Sequence, residues 1–287
     1  MSLMINPKTQ DIGFPVRRLL PARECQRVGP FIFVDHMGPA QFEKNTRAGD
    51  VRQHPHIGLA TVTYLFTGAM MHRDSLGVVQ RIEPGAINLM TAGKGIVHSE
   101  RMPADIRDNE VPVEGIQTWL ALPIEHEEVD PKFEHYAADT IPATKIPGGS
   151  ARVLIGTLGE LSSPVRTYSP TSYFEIILEP AAQFRVELSR QELAVYIAAG
   201  TAKANSENVD TYQLLVVGDS LFLEAGPEGC RAIVLGGAPL EGKRYIHWNF
   251  VSSSMERLKQ ASADWAEERF SLVPGETEFI PLPDSLR

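Results

Sequence analysis

Apolar and polar residues along this chain alternate with a period near two over short stretches, and only near the end with the longer period of a helix. β-Branched and aromatic residues recur in brief runs, Thr61–Phe66, Val78–Ile82, Ala86–Met90, Ile96–His98 and Gln117–Leu122, with Gly and Pro between them. Runs of this kind, punctuated roughly every ten residues, predict the strands of an all-β sandwich or barrel. Two earlier segments, Gly13–Pro21 and Pro30–Asp35, read as further strands, the second ending in a turn at Asp35-His36-Met37-Gly38-Pro39. Ala40–Asp50 is polar and loop-like. Pro123–Pro147, rich in Glu, Asp and Pro, is the predicted connection between two halves, and Gly148-Gly149 leads into a second strand series at Ala151–Ile155. After Phe250 the period lengthens. Ser253 precedes Glu256 at the spacing of a capping box, and Met255, Leu258, Ala261 or Ser262, and Trp265 recur at helical intervals. This predicts a terminal helix packed on the sheets, followed by a proline-containing tail, Ser271–Arg287, along the surface.

The second strand series echoes the first. Tyr64-Leu65-Phe66-Thr67-Gly68 is matched by Tyr196-Ile197-Ala198-Ala199-Gly200, and the segment Gly85–Gly93 by Gly218–Gly226 with identical glycine spacing. Self-similarity of this kind predicts two copies of one β-fold.

Composition narrows the partners. The net charge is −9 with no basic stripe, which argues against a nucleic acid, since binding a phosphate backbone needs clustered Lys and Arg. Only Cys25 and Cys230 occur, far apart and in no metal or redox spacing, so a reducing cytoplasm is expected. No signal peptide and no membrane-spanning run is read from the sequence.

Candidate chemistry concentrates between Val51 and Glu100. Residues two apart on a strand share a face, so His54 projects with His56, and His98 with Glu100. Two such strands side by side would aim three imidazoles and a carboxylate at one point, a mixed nitrogen and oxygen site for a divalent metal. The competing reading is a hydrogen-bonded polar network. Two same-face pairs make that coincidence costly, because buried imidazoles and a carboxylate each need partners. Three histidines and a carboxylate suit Fe(II), Mn, Ni, Cu or Zn. The lack of thiolates argues against a structural zinc site, and open coordination positions favour chemistry. His72 is a candidate for supporting the ligands or facing a substrate, against a solvated strand position. His36, at a strand end, is a candidate pocket residue, against a structural hydrogen bond. His126, His135 and His247 read as structural or exposed, and Glu125, Glu127, Glu128 and Asp130 as a solvated loop or a rim facing a partner. Carried across at the offset of the echo, His54 and His56 fall on Val186 and Leu188, and His98 and Glu100 on Arg231 and Ile233. One half is therefore expected to bind metal and the other not.

Several of these motifs resemble the pirin family. They are the segment Gly29–Pro39 (GPFIFVDHMGP), His54-Pro55-His56-Ile57-Gly58, Thr61-Val62-Thr63-Tyr64, and the segment Met90–Glu100 (MTAGKGIVHSE). The resemblance implies two tandem cupin barrels (double-stranded β-helix, or jelly-roll). Residues 1–140 would be the metal-binding domain, and 148–287 a metal-free domain ending in the helix and tail. It places His54, His56, His98 and Glu100 on metal-ligand positions and favours Fe(II) as the metal. One departure is Ala60, where cupins and many pirins carry an acidic residue. Some pirins resemble quercetin 2,3-dioxygenases. That implies an enzyme taking a small aromatic flavonol, or a related enolic compound, and O2, with Glu100 as the proton acceptor. Others act as non-enzymatic, metal- or redox-dependent regulators that bind a transcription factor or a metabolic enzyme, so a protein partner is the alternative. No membrane partner is expected, and the chain is expected to be a monomer.

Overall fold

Short β-branched and aromatic runs bounded by Gly and Pro fold as strands throughout the computed structural model, which describes residues 2–284. The leading strands are β1 (Leu3–Ile5), β2 (Lys8–Asp11), β3 (Pro15–Leu20) and β4 (Phe31–Ala40). The first copy follows as β5 (Val51–His56), β6 (Leu59–Thr67), β7 (Met70–Asp74), β8 (Val79–Ile82), β9 (Ile87–Thr91), β10 (Ile96–Arg101), the short helix α1 (Ala104–Asp108) and β11 (Val113–Ala121). The expected connection holds β12 (Lys132–Tyr136) and β13 (Ala143–Ile146). The second copy comprises β14 (Gly149–Ile155), β15 (Thr157–Leu158), β16 (Leu161–Ser162), β17 (Thr171–Leu178), β18 (Gln183–Glu187), β19 (Glu192–Ala204), β20 (Glu207–Val209), β21 (Leu214–Gly218) and β22 (Ser220–Gly237). A hairpin of β23 (Tyr245–His247) and β24 (Phe250–Ser252) leads to α2 (Met255–Ala266). Among the described residues no helix is long and apolar enough to cross a membrane.

The chain forms two compact units, each discontinuous in sequence. One gathers the chain up to Gln10, Arg17–His36 and Tyr136–Leu240; the other gathers Asp11–Val16, Met37–His135 and the chain from Glu241 onward. A division at 1–140 and 148–287 therefore does not follow the packing, because both ends of the chain change sides. The physical reason is apolar cover and edge pairing. β1 closes the exposed edge of β21, with Leu3 opposite Val216. The buried face of α2, Leu258, Ala261 and Trp265, finds its counterpart on Ile57, Val97 and Phe250. The first-copy unit contains the four-stranded sheet β5-β10-β7-β8 and the strand run β12-β9-β6-β11. The second-copy unit is built on β1-β21-β19-β22-β17-β14-β13, with β18 against β22 and β20 against β19.

The echo is present, but only half of its alignment holds. Tyr64 lies opposite Ile116 across β6 and β11, and Tyr196 opposite Ile233 across β19 and β22, so these two tyrosines do match. The glycine-bounded segments do not. The strand that pairs with β6 as β9 does is, in the second copy, β21, which ends at Gly218 rather than following it. The counterpart of β10 is the first part of β22. β10 lies between β5 and β7, in the column His54–His98–Asp74; β22 there lies between β18 and the end of β19, in the column Phe184–Leu223–Ala204. The positions of His54, His56, His98 and Glu100 thus correspond to Phe184, Val186, Leu223 and Ala225, whereas Arg231 and Ile233 belong to the part of β22 that matches β11. Turn lengths explain the slip: Tyr64 follows His56 by eight residues and Tyr196 follows Val186 by ten. All four replacements are apolar and lie in the second unit's core.

Four local readings change. β4 continues through the turn expected at Asp35–Pro39. Gly38, at φ +74°, lies where a Cβ would meet the Val113 carbonyl oxygen at 2.1 Å, a close approach that only glycine permits. The N-cap of α2 is Ser254, which accepts from the Arg257 N–H; Ser253 instead gives its backbone N–H and its hydroxyl to Glu127. Met255 faces solvent rather than the sheets. The acidic loop is solvated except at Glu127, which is buried and ion-paired with Arg244 at 2.7 Å. The tail does run along the protein as expected as far as Asp284; Ser285–Arg287 lie outside the described residues.

Candidate metal centre

The site is built on β5 and β10, antiparallel neighbours in which His98 stands opposite His54 and Ile96 opposite His56. Alternation sends Gln53 and Pro55 outward and both histidines inward. The three imidazoles form a close-set trio in which one ring nitrogen from each lies within 4.8 Å of those of the other two. Ring centroids are 4.4 Å apart for His54 and His98, and 5.0 Å for His56 with either partner.

Hydrogen bonding fixes which nitrogens are free. The His54 Nδ1 lies 2.8 Å from the Arg52 carbonyl oxygen, and the His56 Nδ1 3.1 Å from that of Asn249. A carbonyl oxygen only accepts, so each Nδ1 carries the proton and each Nε2 presents a lone pair. Neither ring nitrogen of His98 has a hydrogen-bond partner among the described residues, although both are buried. Burial is the main cause that lowers all three basicities. His54 falls to about 4 against an ordinary 6.5, and His56 and His98 fall well below that ordinary value, each pushed further by its charged-form neighbours. All three are therefore neutral near pH 7, the form that ligates metals.

Glu100 stands outside the close-set trio. The register against β5 slips by one between His98 and Glu100, with the extra residue in β5, so that Glu100 faces Val51. Against β7 the pairing is regular, with His98 opposite Asp74 and Glu100 opposite His72. Burial raises the Glu100 carboxyl to about 7.

His72 is buried rather than solvated. Its ring lies 5.3 Å from His98 and stacks on Phe133 at 4.2 Å, and its Nε2 is 3.0 Å from Asp74 Oδ2. The other Asp74 oxygen accepts from the backbone N–H groups of Leu76 and Val78, so this carboxylate holds both the hairpin turn and His72. His36 belongs to the other unit. It is fully buried there, with its Nδ1 2.6 Å from the Tyr196 hydroxyl and Tyr212 edge-on to its ring. His135 bonds the Asn88 side-chain oxygen, His126 lies 3.7 Å from Glu125, and His247 is half-buried on β23.

Sequence reasoning missed Trp119, whose ring lies edge-on over His56 at 5.1 Å, and the aromatic wall contributed by Phe133. Trp119 is in a strand that the pattern predicts, but its direction follows only from its pairing with Thr61. That pairing also places Ala60. Residues opposite each other share a face and adjacent residues do not, so Ala60 points away from the face that carries Trp119. An acidic side chain at position 60 would not be directed at His56.

The family model described as Pirin matches residues 13–120, and that of the Pirin C-terminal cupin domain matches residues 173–271. A Pirin-like protein of Caulobacter vibrioides is 42% identical and covers 99% of this chain and 100% of its own length. The pirin of Homo sapiens is 30% identical over 92% of this chain and 91% of its own. The crystal structure of quercetin 2,3-dioxygenase from Acinetobacter baumannii matches with a TM-score of 0.90 at 34% identity, covering 100% of this chain and 97% of that one. Two cupin units in tandem, both family models and identity along the full length lead to one conclusion: the chain belongs to the pirin family.

Proposed function

We propose that this pirin is a metal-dependent dioxygenase acting on a flavonol of the quercetin type, or a related enolic compound, with O2. The observation that carries the reading is His98, whose two buried ring nitrogens are both unpartnered inside a trio of neutral imidazoles. Burying such a group without a partner costs roughly 1–3 kcal/mol, which a metal ligated at that nitrogen would offset. His54, His56 and His98 would hold the metal, Fe(II) in preference to Mn, Ni, Cu or Zn, with Glu100 as a further oxygen ligand. When bound, the metal supplies Lewis-acid stabilisation of an anionic substrate oxygen. The quercetin dioxygenase of Acinetobacter baumannii, 34% identical, supports the substrate class.

The chain's own residues complete the chemistry. Glu100, raised to about 7, accepts the proton of the flavonol 3-hydroxyl near neutral pH, where a base is most effective. Trp119 against His56 and Phe133 stacked on His72 make the surroundings of the trio aromatic, which suits an aromatic substrate. His72, held by Asp74 and opposite Glu100, fixes the wall behind that carboxyl. Net turnover joins one flavonol and one O2 and releases carbon monoxide and a depside ester.

The test is to strip the protein, load it anaerobically with each divalent metal, then add quercetin and oxygen. Flavonol absorbance and carbon monoxide are followed in wild type and in His98→Ala. Turnover above that of free metal, lost in His98→Ala, is the expected result. If no loaded form outpaces the free ion, the flavonol assignment is wrong.

A further inference from the structure

The same alternation that turns the ligands inward turns Gln53, Val97, Ser99 and Arg101 outward, each next to a ligand in sequence. That outer face is covered by the end of the chain. Ile57 and Val97 pack with Leu258, Trp265, Val273 and Leu282 in one apolar cluster. The Gln53 side-chain oxygen accepts from the Val273 N–H at 3.0 Å, and its carbonyl accepts from the Ile280 N–H at 2.9 Å. Ser99, between His98 and Glu100, donates its hydroxyl to Glu276 at 2.8 Å. Arg101 donates its Nε–H to the same carboxylate oxygen at 3.0 Å and pairs with the other through its guanidinium. Trp265 ties the segment down by donating to the Ile280 carbonyl at 2.9 Å.

We propose that Val273–Ile280 is a strap that positions the metal ligands from behind, with Glu276 its principal clamp through Ser99 and Arg101 and Gln53 its second anchor beside His54. This rests on the metal reading above. Charge-assisted bonds of this type are short and directional, so a carboxylate gripping both Ser99 and Arg101 restrains the backbone on either side of Glu100 and next to His98. A side chain that merely stabilised the unit would have no reason to act on the metal more than on the fold. A segment that displaces the strap would loosen the ligands, making this a place where a bound partner could control metal retention.

The experiment uses the full-length chain loaded with Co(II). Its visible absorption reports ligand geometry, and its release into excess chelator, well below the melting temperature, reports dissociation. Glu276→Ala is expected to speed release about 10- to 100-fold, the usual effect of losing a group that supports a ligand, with an altered visible spectrum. Glu276→Gln, which keeps an acceptor for Ser99 but loses the Arg101 ion pair, should fall between. Ser99→Ala removes one bond at low risk to the fold and should act in the same direction. Ile106→Val, a core change in α1 of the same unit, controls for general destabilisation and should leave release unchanged. Cobalt release at the wild-type rate in Ser99→Ala and in whichever Glu276 variants fold overturns the strap, as does acceleration that merely tracks melting temperature in all variants including Ile106→Val. A wild-type chain that takes up no cobalt overturns the metal reading itself.

Discussion

The metal-free protein should be sensitive to mild acid, and the structure gives the size of the effect. His54 is lowered to about 4, and burial holds His56 and His98 well below their ordinary 6.5 in the folded chain, so all three are harder to protonate there than in the unfolded chain. In the unfolded chain each titrates near 6.5. Folded pKa values below the unfolded ones mean that stability is full above about pH 6.5 and is lost as pH falls. Glu100 acts in the opposite sense. Raised to about 7 from 4.5, it is protonated in the folded chain and ionised in the unfolded one between those values, which adds stability toward acid. Near pH 5.5 the unfolded chain therefore binds about three imidazole protons, against about one carboxyl proton retained by the fold. The net uptake of about two protons gives a loss of roughly 2–3 kcal/mol per pH unit. Urea unfolding of chelator-treated protein at several pH values between 5 and 7, at constant ionic strength, measures this slope. His98→Asn removes one titrating imidazole and should reduce the slope by about 1.4 kcal/mol per pH unit, which separates the site from the other ionisable groups. Equal slopes in wild type and His98→Asn would refute the reasoning, because His98 would then not be held neutral by burial.

Other consequences are more direct. His98→Ala should lower metal content from about one per chain to a trace by elemental analysis of freshly loaded protein, since three-imidazole sites rarely survive loss of a ligand. Glu100→Gln should reduce turnover of a loaded enzyme by about 10²–10⁴-fold in the flavonol assay, the usual contribution of a general base, with some metal still retained by the three histidines. Gly58→Ala places a Cβ 2.0 Å from the Val251 carbonyl oxygen at φ +67° and should cost at least about 2 kcal/mol in urea titrations. Leu223→Ala empties the second unit's counterpart of the His98 position and should destabilise by roughly 2–5 kcal/mol while leaving metal stoichiometry unchanged.

What the sequence alone determined is local and periodic. Spacing of two placed His54 with His56 on one face, and the flanking Gly and Pro residues marked the strands, because both signals lie within a few residues of the side chains they describe. The duplication was legible for the same reason at Tyr64 and Tyr196. Its continuation to Arg231 and Ile233 failed because turn lengths drift between copies, and only strand pairing shows that Phe184 and Leu223 stand where His54 and His98 do. Contacts between residues far apart in the chain were decided by the tertiary structure. The register slip between β5 and β10, the Asn249 carbonyl that leaves the His56 Nε2 free, and Trp119 over His56 all arise from pairings that no local pattern encodes. The clearest case is Glu276. Its burden on Ser99 and Arg101 crosses more than 170 residues, and it exists because the outer face of β5 and β10 must be covered, which is settled only when the whole chain packs.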